Sequence, residues 1–435
     1  MIHLLRCRAW PMALALLVTV VLLVCRADAA RADTWPRFRG PNGSGVATAE
    51  NMPDTWTEKD YAWRVELPSP GFSSPVVWND RIYVTSGDEK TGEQIILSLD
   101  AATGKTVWEK RFAADPYKKH RFNSYATSTP ALDADHVYVT WGGPKGSTAA
   151  ALDRQTGELK WRHEMGPFLA MHNFGASPMV VGDTLIVMND QQNRRMLLAL
   201  DRASGKVKWK SEKKLETEEE SEFDLNTTYA TPCVFTPPEA AVQLIVGRSR
   251  VGVMSLDPQT GRQNWRLDLF EFRSVGSPTI EGDRLVAICG SGGGGQRAAV
   301  IQPGVPERNT EPKVLHDVQK NLPYVPTPLL HDGLLYLWAE TGQVKCIDLT
   351  TGKELWHGRA RGKFYSSPVL TDGKLYSVSD KGKVTILSAG RDKFELLGQI
   401  DLEEPTMSTP AISDGVLYFR TLTHLMALPS GGKTE

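Results

Sequence analysis

Residues 74–108 read SPVVWNDRIYVTSGDEKTGEQIILSLDAATGKTVW and contain two turn signals that recur along the chain. The first is a Ser-Pro pair followed by alternating apolar residues on both sides of an Asn-Asp turn. The second is an Asp-x-x-Thr-Gly turn that begins at Asp100 and is followed by Trp108. Because Asn, Asp and Gly tolerate the positive φ of tight turns, each signal predicts a β-hairpin, and the stretch as a whole predicts four strands.

The Ser/Thr-Pro signal occurs eight times, at intervals of 40 to 55 residues. The pairs begin at Ser74, Thr129, Ser177, Thr231, Ser277, Thr327, Ser367 and Thr409. Seven of the eight continue through a two-residue turn into a second strand. In the fourth copy TPPEAA precedes QLIV, and we expect a longer hairpin loop there.

The Asp-Gly-Trp signal has five copies, with Gly four and Trp eight residues after Asp. The copies begin at Asp100, Asp153, Asp201, Asp257 and Asp348. Asp and Thr/Ser side chains bond the turn backbone, and Gly supplies the left-handed residue of a bulged loop. The Trp then falls on the outgoing strand, where a large ring can fill the space between neighbouring sheets.

Four strands repeated eight times predict an all-β fold, an eight-bladed β-propeller of four-stranded blades. The last repeat supplies only three strands before the chain ends. We expect residues 61–67 (YAWRVEL) to join this C-terminal blade, because the added strand would close the ring and remove an exposed sheet edge. A seven-bladed ring is the alternative, in which one Ser/Thr-Pro pair is accidental.

The paired signals resemble the repeat of the PQQ-like, or quinoprotein alcohol dehydrogenase-like, β-propeller family over about residues 63–428. Residues 35–41 (WPRFRGP) also resemble an N-terminal extension of exported bacterial members. The resemblance implies the fold and leaves the activity open. Some relatives are quinone-dependent dehydrogenases, whereas the lipoprotein subunit of the outer-membrane β-barrel assembly machinery is a protein scaffold.

The first 32 residues are typical of a secretory signal peptide, since arginines precede the 13-residue apolar run Met12–Val24 and small residues follow it. A retained anchor and a lipid on Cys25 are alternatives, although the run is short for a hydrocarbon core of about 30 Å. The predicted organisation is a signal peptide at 1–32, an N-terminal extension at 33–60, the propeller at 61–430 and a tail at 431–435. The protein is therefore expected to be exported, to the periplasm or beyond.

Charge and composition indicate which classes of partner to expect for this protein. Lys plus Arg (50) nearly equal Asp plus Glu (51), and loss of residues 1–32 would leave a net charge of −4. Nucleic-acid-binding proteins usually carry a basic excess, so we expect no nucleic-acid partner. A cleaved chain would not be an integral membrane protein, and a closed ring without free edges favours a monomer.

The cysteines and histidines show no spacing that is typical of a metal site or a catalytic site. Cys233, Cys289 and Cys346 lie in apolar strand-like runs without zinc-like spacing, which predicts small buried side chains. The nine histidines include no closely spaced pair, and His172 is the one that merits a test. The sequence also lacks G-x-S-x-G, P-loop, H-E-x-x-H and dinucleotide-binding glycine motifs.

The loops that lead into the inner strands should meet at one mouth of the central channel. Their aromatic and hydrogen-bonding residues suit a small molecule or a peptide, the alternative being that they cap strands and pack loops. The candidates are Asn123, Tyr125, His172, Asn173, Asn226, Tyr229, Arg273, Tyr324 and Tyr365. The stretch Arg37–Arg39 would either clamp the ring or meet a partner.

The family resemblance implies that a quinone enzyme needs Ca²⁺ held by carboxylate and amide oxygens, an Asp base and often a disulfide between adjacent cysteines. Adjacent cysteines are absent, and the nearest carboxylates are Glu222, Asp224 and Glu271. We therefore expect a non-catalytic exported propeller, without cofactor or metal, that binds a protein, a peptide or a small ligand. The alternatives are PQQ- and Ca²⁺-dependent oxidation of alcohols or sugars, and scaffolding of outer-membrane protein assembly.

Overall fold

The computed structural model describes residues 34–120, 123–215, 225–292 and 294–431. Within these ranges 32 strands form eight four-stranded antiparallel sheets, the blades of a propeller. Three short 3-10 helices accompany them, at Pro41–Gly43, Glu58–Asp60 and Pro306–Arg308. In this described part no helix is long and apolar enough to cross a membrane. The predicted signal peptide, Glu222 and Asp224 lie outside the described residues.

The first four blades follow one another along the chain, each with its inner strand first. Blade 1 contains β2 (Val76–Trp78), β3 (Arg81–Gly87), β4 (Gln94–Asp100) and β5 (Thr106–Phe112). Blade 2 contains β6 (Ala131–Leu132), β7 (His136–Gly143), β8 (Gly146–Asp153) and β9 (Leu159–Gly166). Blade 3 contains β10 (Met179–Val181), β11 (Thr184–Met188), β12 (Arg194–Asp201) and β13 (Val207–Lys214). Blade 4 contains β14 (Cys233–Phe235), β15 (Gln243–Arg248), β16 (Gly252–Leu256) and β17 (Gln263–Asp268).

The second half of the ring repeats this order, except that blade 8 takes one strand from the N-terminal side. Blade 5 contains β18 (Thr279–Glu281), β19 (Arg284–Ser291), β20 (Gly294–Gln302) and β21 (Lys313–Val318). Blade 6 contains β22 (Leu329–His331), β23 (Leu334–Trp338), β24 (Gln343–Asp348) and β25 (Glu354–Arg359). Blade 7 contains β26 (Val369–Thr371), β27 (Lys374–Val378), β28 (Lys383–Ser388) and β29 (Leu396–Asp401). Blade 8 contains β30 (Ala411–Ser413), β31 (Val416–Arg420), β32 (His424–Pro429) and β1 (Trp63–Glu66).

Closure of the ring by the N-terminal segment is confirmed. Strand β1 pairs antiparallel with β32, with Trp63 opposite Ala427. The Trp63 indole then reaches into blade 1, where its N–H donates to the carbonyl of Ala101 at 2.9 Å. One short segment therefore completes the last blade and fastens it to the first.

The Ser or Thr of each Ser/Thr-Pro pair links two blades at the centre of the ring. Its hydroxyl oxygen accepts a hydrogen bond from the backbone N–H of the corresponding residue one blade earlier, at 2.9 to 3.2 Å. Eight such bonds form a closed circle. The Pro that follows has no N–H to leave unpaired at this crowded position.

Each outer-strand Trp fastens its blade to the next one, as Trp108 shows. Its indole N–H donates to the carbonyl of Arg154 at 3.1 Å. Its ring covers Gly157, where a Cβ would lie 2.7 Å from the indole. Gly157 has a φ of 69°, so the turn needs glycine for its backbone conformation as well as for space. The indoles of Trp63, Trp161, Trp209, Trp265 and Trp356 also donate to a backbone carbonyl of the following blade.

Blade 5 lacks the Asp-Gly-Trp signal, and a histidine takes the place of its Trp. The His316 ring covers Gly352, and its Nε2 lies 3.1 Å from the carbonyl oxygen of Thr350. The contact between blades 5 and 6 therefore keeps its geometry with a smaller ring.

Candidate functional site

A cavity of about 860 Å³ occupies the centre of the ring and opens at one mouth. Its walls are the loops that lead into the inner strands. The eight Ser/Thr residues of the hydrogen-bonded circle line its deep end. The repeat signal thus marks the level at which the cavity narrows.

The N-terminal extension closes the other end of the channel, and we call residues 35–45 the plug. Trp35 and Val77 of blade 1 exchange two backbone hydrogen bonds of 2.9 Å. On the far side, the Asn42 amide donates to the Val234 carbonyl and accepts from the Val234 N–H in blade 4, at 2.8 and 2.7 Å. The plug therefore crosses the channel from one side of the ring to the other.

Two buried arginines hold the plug in place. Arg39 donates to the carbonyls of Pro328 and Pro368 at 2.9 and 3.1 Å, and Arg37 donates to that of Pro232 at 2.6 Å. Among the described residues neither arginine has a carboxylate partner. Desolvation therefore lowers the pKa of Arg37 to about 10 and that of Arg39 to about 9. Of the two roles considered for Arg37–Arg39, the structure shows the clamp.

Six of the nine candidate residues surround the cavity, and the Phe38 ring of the plug joins them from below. The six are Asn123, His172, Tyr229, Arg273, Tyr324 and Tyr365. Their convergence follows from the loop positions that the repeat predicts. Ligand binding by these residues remains a prediction.

The other three candidates, Tyr125, Asn173 and Asn226, do not line the cavity. Each donates a hydrogen bond to a backbone carbonyl of a loop and helps to pack it. The acceptors are Tyr117, Ser124 and Gln192, at 2.7, 3.4 and 3.0 Å. Asn173 also lines a smaller groove beside the mouth.

The structure brings together two histidines that are distant in the sequence. The rings of His120 and His172 meet edge to face with centroids 4.3 Å apart, and both line the cavity. The Tyr229 ring packs on the other side of His172 at 6.0 Å. Sequence spacing could not show this cluster, because its members lie on loops of different blades.

The charged groups around the cavity are mostly cationic. Arg273, Arg359 and Lys363 line it, and Glu340 is the one carboxylate among its described lining residues. The Glu340 carboxylate accepts the N–H groups of Tyr324 and Val325 at 3.0 and 2.6 Å, and burial raises its pKa. Glu340 lies just after strand β23 and not in a loop that precedes a Ser/Thr-Pro pair. Its position relative to the repeat therefore did not mark it as a candidate.

The described lining does not fit the Ca²⁺ site of a quinone enzyme. Such an ion takes six to eight oxygen ligands from carboxylates, carbonyls and waters. Glu340 is already bound by two backbone N–H groups, and Glu271 is exposed and does not line the cavity. PQQ with Ca²⁺ therefore remains the alternative that the sequence left open. The described residues that line the cavity do not supply a set of ligands for the ion.

Two other groups of acidic residues and histidines lie at hairpin turns on the plug side. They are Asp133 with Asp135 and His136, and Glu281 with His331 and Asp332. Asp133 is already held by the Tyr138 hydroxyl and by backbone N–H groups, and Glu281 accepts two backbone N–H groups of blade 6. These contacts give both carboxylates a structural role.

A smaller groove of about 370 Å³ adjoins the mouth between blades 2 and 3. Leu169 and Met171 line it and are 40% and 38% exposed, and Met171 also lines the central cavity. Lys118 lies on its rim. The mouth therefore combines exposed apolar side chains with cationic ones.

The three cysteines of the described part are free, buried thiols, as their apolar surroundings predict. Burial raises the pKa of Cys233 and Cys346 to about 12 and that of Cys289 to about 11. Thiols that stay protonated are poor nucleophiles and poor metal ligands.

The chain is similar both to an outer-membrane assembly factor and to a dehydrogenase. It is 21% identical over 329 residues to the outer membrane protein assembly factor BamB of Yersinia pestis, covering 74% of this chain and 66% of that protein. It is 27% identical over 203 residues to a polyvinylalcohol dehydrogenase of a Pseudomonas species, covering 42% and 30%. The chain thus spans less than two thirds of the length of each relative.

A solved structure shows the same ring. The quinohemoprotein alcohol dehydrogenase of Comamonas testosteroni superposes with a TM-score of 0.63 at 15% identity, covering 94% of this chain and 82% of that one. At this identity the likeness concerns the fold alone.

A family profile covers most of the propeller. The profile described as outer membrane protein assembly factor BamB matches residues 61–236 and 316–433, which leaves out most of blades 4 and 5. The matched residues make up more than half of the chain and contain the repeated Ser/Thr-Pro and Asp-Gly-Trp signals. The chain therefore belongs to the family described as outer membrane protein assembly factor BamB, a family of PQQ-like propeller repeats.

Proposed function

We propose that this chain is an exported, non-catalytic propeller that binds a segment of a partner protein at its open mouth. The observation that carries the proposal is the asymmetry of the channel. The plug seals one end with the chain's own residues, and the other end opens to a cavity of about 860 Å³. A ligand that uses the central cavity must therefore enter from the mouth.

The rim of the mouth supports a protein partner. Leu169 and Met171 expose two large apolar side chains next to each other on one loop, beside a groove that continues into the cavity. Exposed apolar groups with a polar surround are a common feature of protein interfaces. Methionine is also well suited to such a surface, because its flexible side chain adapts to different partners.

The family description favours one setting for this binding. Relatives are described as assembly factors for outer-membrane proteins. We propose the same setting here, with the N-terminal 32 residues directing export and the closed ring acting as a monomer. The partner would then be a protein of the cell envelope.

A quinone-dependent oxidoreductase is the second candidate, supported by the similarity to the Pseudomonas polyvinylalcohol dehydrogenase. It predicts turnover of an alcohol or a sugar by the purified protein after addition of PQQ and Ca²⁺. We expect no turnover and no quinone absorbance on the protein. Sustained turnover would overturn the non-catalytic proposal.

Site-specific crosslinking tests the scaffold directly. A photoreactive amino acid at Met171 should capture an envelope protein in cells, and one at Asp332, which is exposed on the plug side, should not. The captured protein should bind the purified chain. That binding should be lost on Leu169→Asp with Met171→Asp and kept on Val207→Asp, an exposed outer-strand control. Equal capture at both positions, or binding that survives the double change, would refute a mouth interface.

A further inference from the structure

We propose that the mouth recognises an acidic segment of the partner, one carboxylate of which pairs with Arg273 inside the cavity. This inference rests on the proposed function and gives the partner its chemistry. Arg273 is only 4% exposed, yet it lines the cavity. Among the described residues, neither its Nε nor its Nη1 has a hydrogen-bond partner.

The backbone and one aromatic ring hold this guanidinium in position. The Arg273 N–H donates to the carbonyl of Gly290 at 3.1 Å, and the Gly290 N–H donates back at 2.9 Å. The guanidinium carbon lies 5.8 Å from the centre of the Tyr324 ring. The backbone at Arg273 is therefore held in place and its guanidinium packs on a ring, and such preorganisation reduces the entropy lost on binding.

A buried guanidinium with free donors calls for an anion. Leaving a buried donor unpaired is unfavourable, and more so for a charged group. A carboxylate matches the planar fork of Arg with two parallel N–H···O bonds. Several other arginines, among them Arg154 and Arg194, also have a buried nitrogen without a partner, but in these two another guanidinium nitrogen donates to a backbone carbonyl. Arg273 differs because it also lines the central cavity.

The charged residues around Arg273 also favour an anionic ligand. Arg359 and Lys363 line the cavity with Arg273, whereas Glu340 is the one carboxylate among the described lining residues. Glu340 is occupied by the N–H groups of Tyr324 and Val325. The mouth is therefore locally cationic in a chain whose net charge is −1. An acidic ligand is attracted to such a mouth and a basic one is repelled.

The adjoining groove distinguishes a peptide from a free small anion. Met171 lines both the groove and the cavity, so an extended segment can place an apolar side chain against Leu169 and Met171 and a carboxylate near Arg273. A small carboxylate would use the arginine alone. We therefore assign an extended segment in which acidic and apolar residues alternate.

The test uses two fluorescent eight-residue peptides that alternate Leu, Val or Phe with either Asp or Asn. The full chain should bind the Asp peptide about tenfold or more tightly than the Asn peptide, as loss of a charge-assisted bond predicts. Arg273→Met should abolish this preference and Arg273→Lys should keep part of it. Arg266→Met, at an exposed outer-strand arginine, should leave it intact. Thermal melts establish that each variant is folded.

Three results would overturn the inference. The first is equal affinity for the two peptides, or binding of neither. The second is a preference for the Asp peptide that persists in Arg273→Met. The third is displacement of the Asp peptide by free glutarate at equal carboxylate concentration. The last result would assign the arginine to a small anion. If capture at Met171 continues in Arg273→Met, the scaffold stands and only the carboxylate contact fails. If the Met171 capture itself is absent, the proposed function fails.

Discussion

Thr409 donates its backbone N–H to the hydroxyl of Ser74 over 3.1 Å, although 335 positions separate the two residues in the chain. This bond completes the circle of eight that surrounds the deep end of the cavity. Together with strand β1, it joins the first and last blades and closes the ring. The rigidity of the candidate site therefore depends on contacts that close only when the whole chain has folded.

A single substitution can remove one of the eight hydrogen bonds that form the circle of Ser/Thr residues. Thr129 accepts the Ser74 N–H at 2.9 Å, so Thr129→Val should leave a buried N–H unpaired and destabilise the protein by about 1 to 3 kcal/mol. Thr129→Ser keeps the acceptor and should cost less. Urea unfolding of both variants measures the difference. Equal destabilisation by Val and Ser would mean that the hydroxyl bond contributes nothing.

The contact between blades 8 and 1 requires a glycine beneath Trp63. A Cβ at Gly104 would lie 2.6 Å from the indole, and its φ is +70°. Gly333 has a φ of +71° but open space around it, so Gly333→Ala isolates the backbone strain of about 1 kcal/mol. We expect Gly104→Ala to lower the free energy of unfolding further, by about 1 to 3 kcal/mol beyond this control. Chemical denaturation that gives the two variants the same stability would contradict the steric argument.

The histidine in blade 5 offers a stabilising change. His316 covers Gly352 as Trp covers glycine at the contacts made by blades 8, 1, 2 and 3, but its ring buries less apolar surface. His316→Trp should therefore raise the free energy of unfolding by about 0.5 to 2 kcal/mol. The reverse change, Trp161→His, should lower it. A His316→Trp variant with a reduced melting temperature would show that this interface has adapted to the smaller ring.

The plug depends on Arg39, which bonds two carbonyls on neighbouring blades. Arg39→Ala removes these bonds and leaves a void, and we expect a loss of about 2 to 4 kcal/mol. Proteolysis should then cut within residues 34–60 sooner than in the unchanged protein. Arg266→Ala, at an exposed site, should leave the cleavage rate unaltered. Unaltered proteolysis of Arg39→Ala would mean that the backbone contacts alone hold the plug.

The buried Glu340 predicts a pH-dependent difference. Burial raises its pKa in the folded state, so the stability that its protonated form provides is present at low pH and is lost as the pH rises through that raised value. Glu340→Gln keeps an acceptor for the N–H groups of Tyr324 and Val325 but does not titrate. Relative to the unchanged protein, this variant should therefore gain stability between pH 4 and pH 8. Denaturation curves at several pH values check this, with Glu271→Gln as the control at an exposed position.

Part of the candidate site could be predicted, because propeller loops have a fixed relation to the repeat. Counting back from each Ser/Thr-Pro pair located the mouth, and His172, Tyr229 and Arg273 do line the cavity. The same rule failed for Tyr125, because a loop position does not determine which way a side chain points. It also missed Glu340 and the contact of His120 with His172, which depend on how loops of different blades approach one another.

The repeat by itself determined the fold, the number of blades and the strand that closes the ring. Hairpin turns and strand alternation are local properties, and eight copies of one pattern leave little freedom in how they combine. The tertiary structure alone decided that residues 35–45 seal the channel and that, within the described part of the chain, the buried Nε and Nη1 of Arg273 have no hydrogen-bond partner. Both facts depend on groups that come together from different loops and blades, and sequence periodicity carries no information about such contacts.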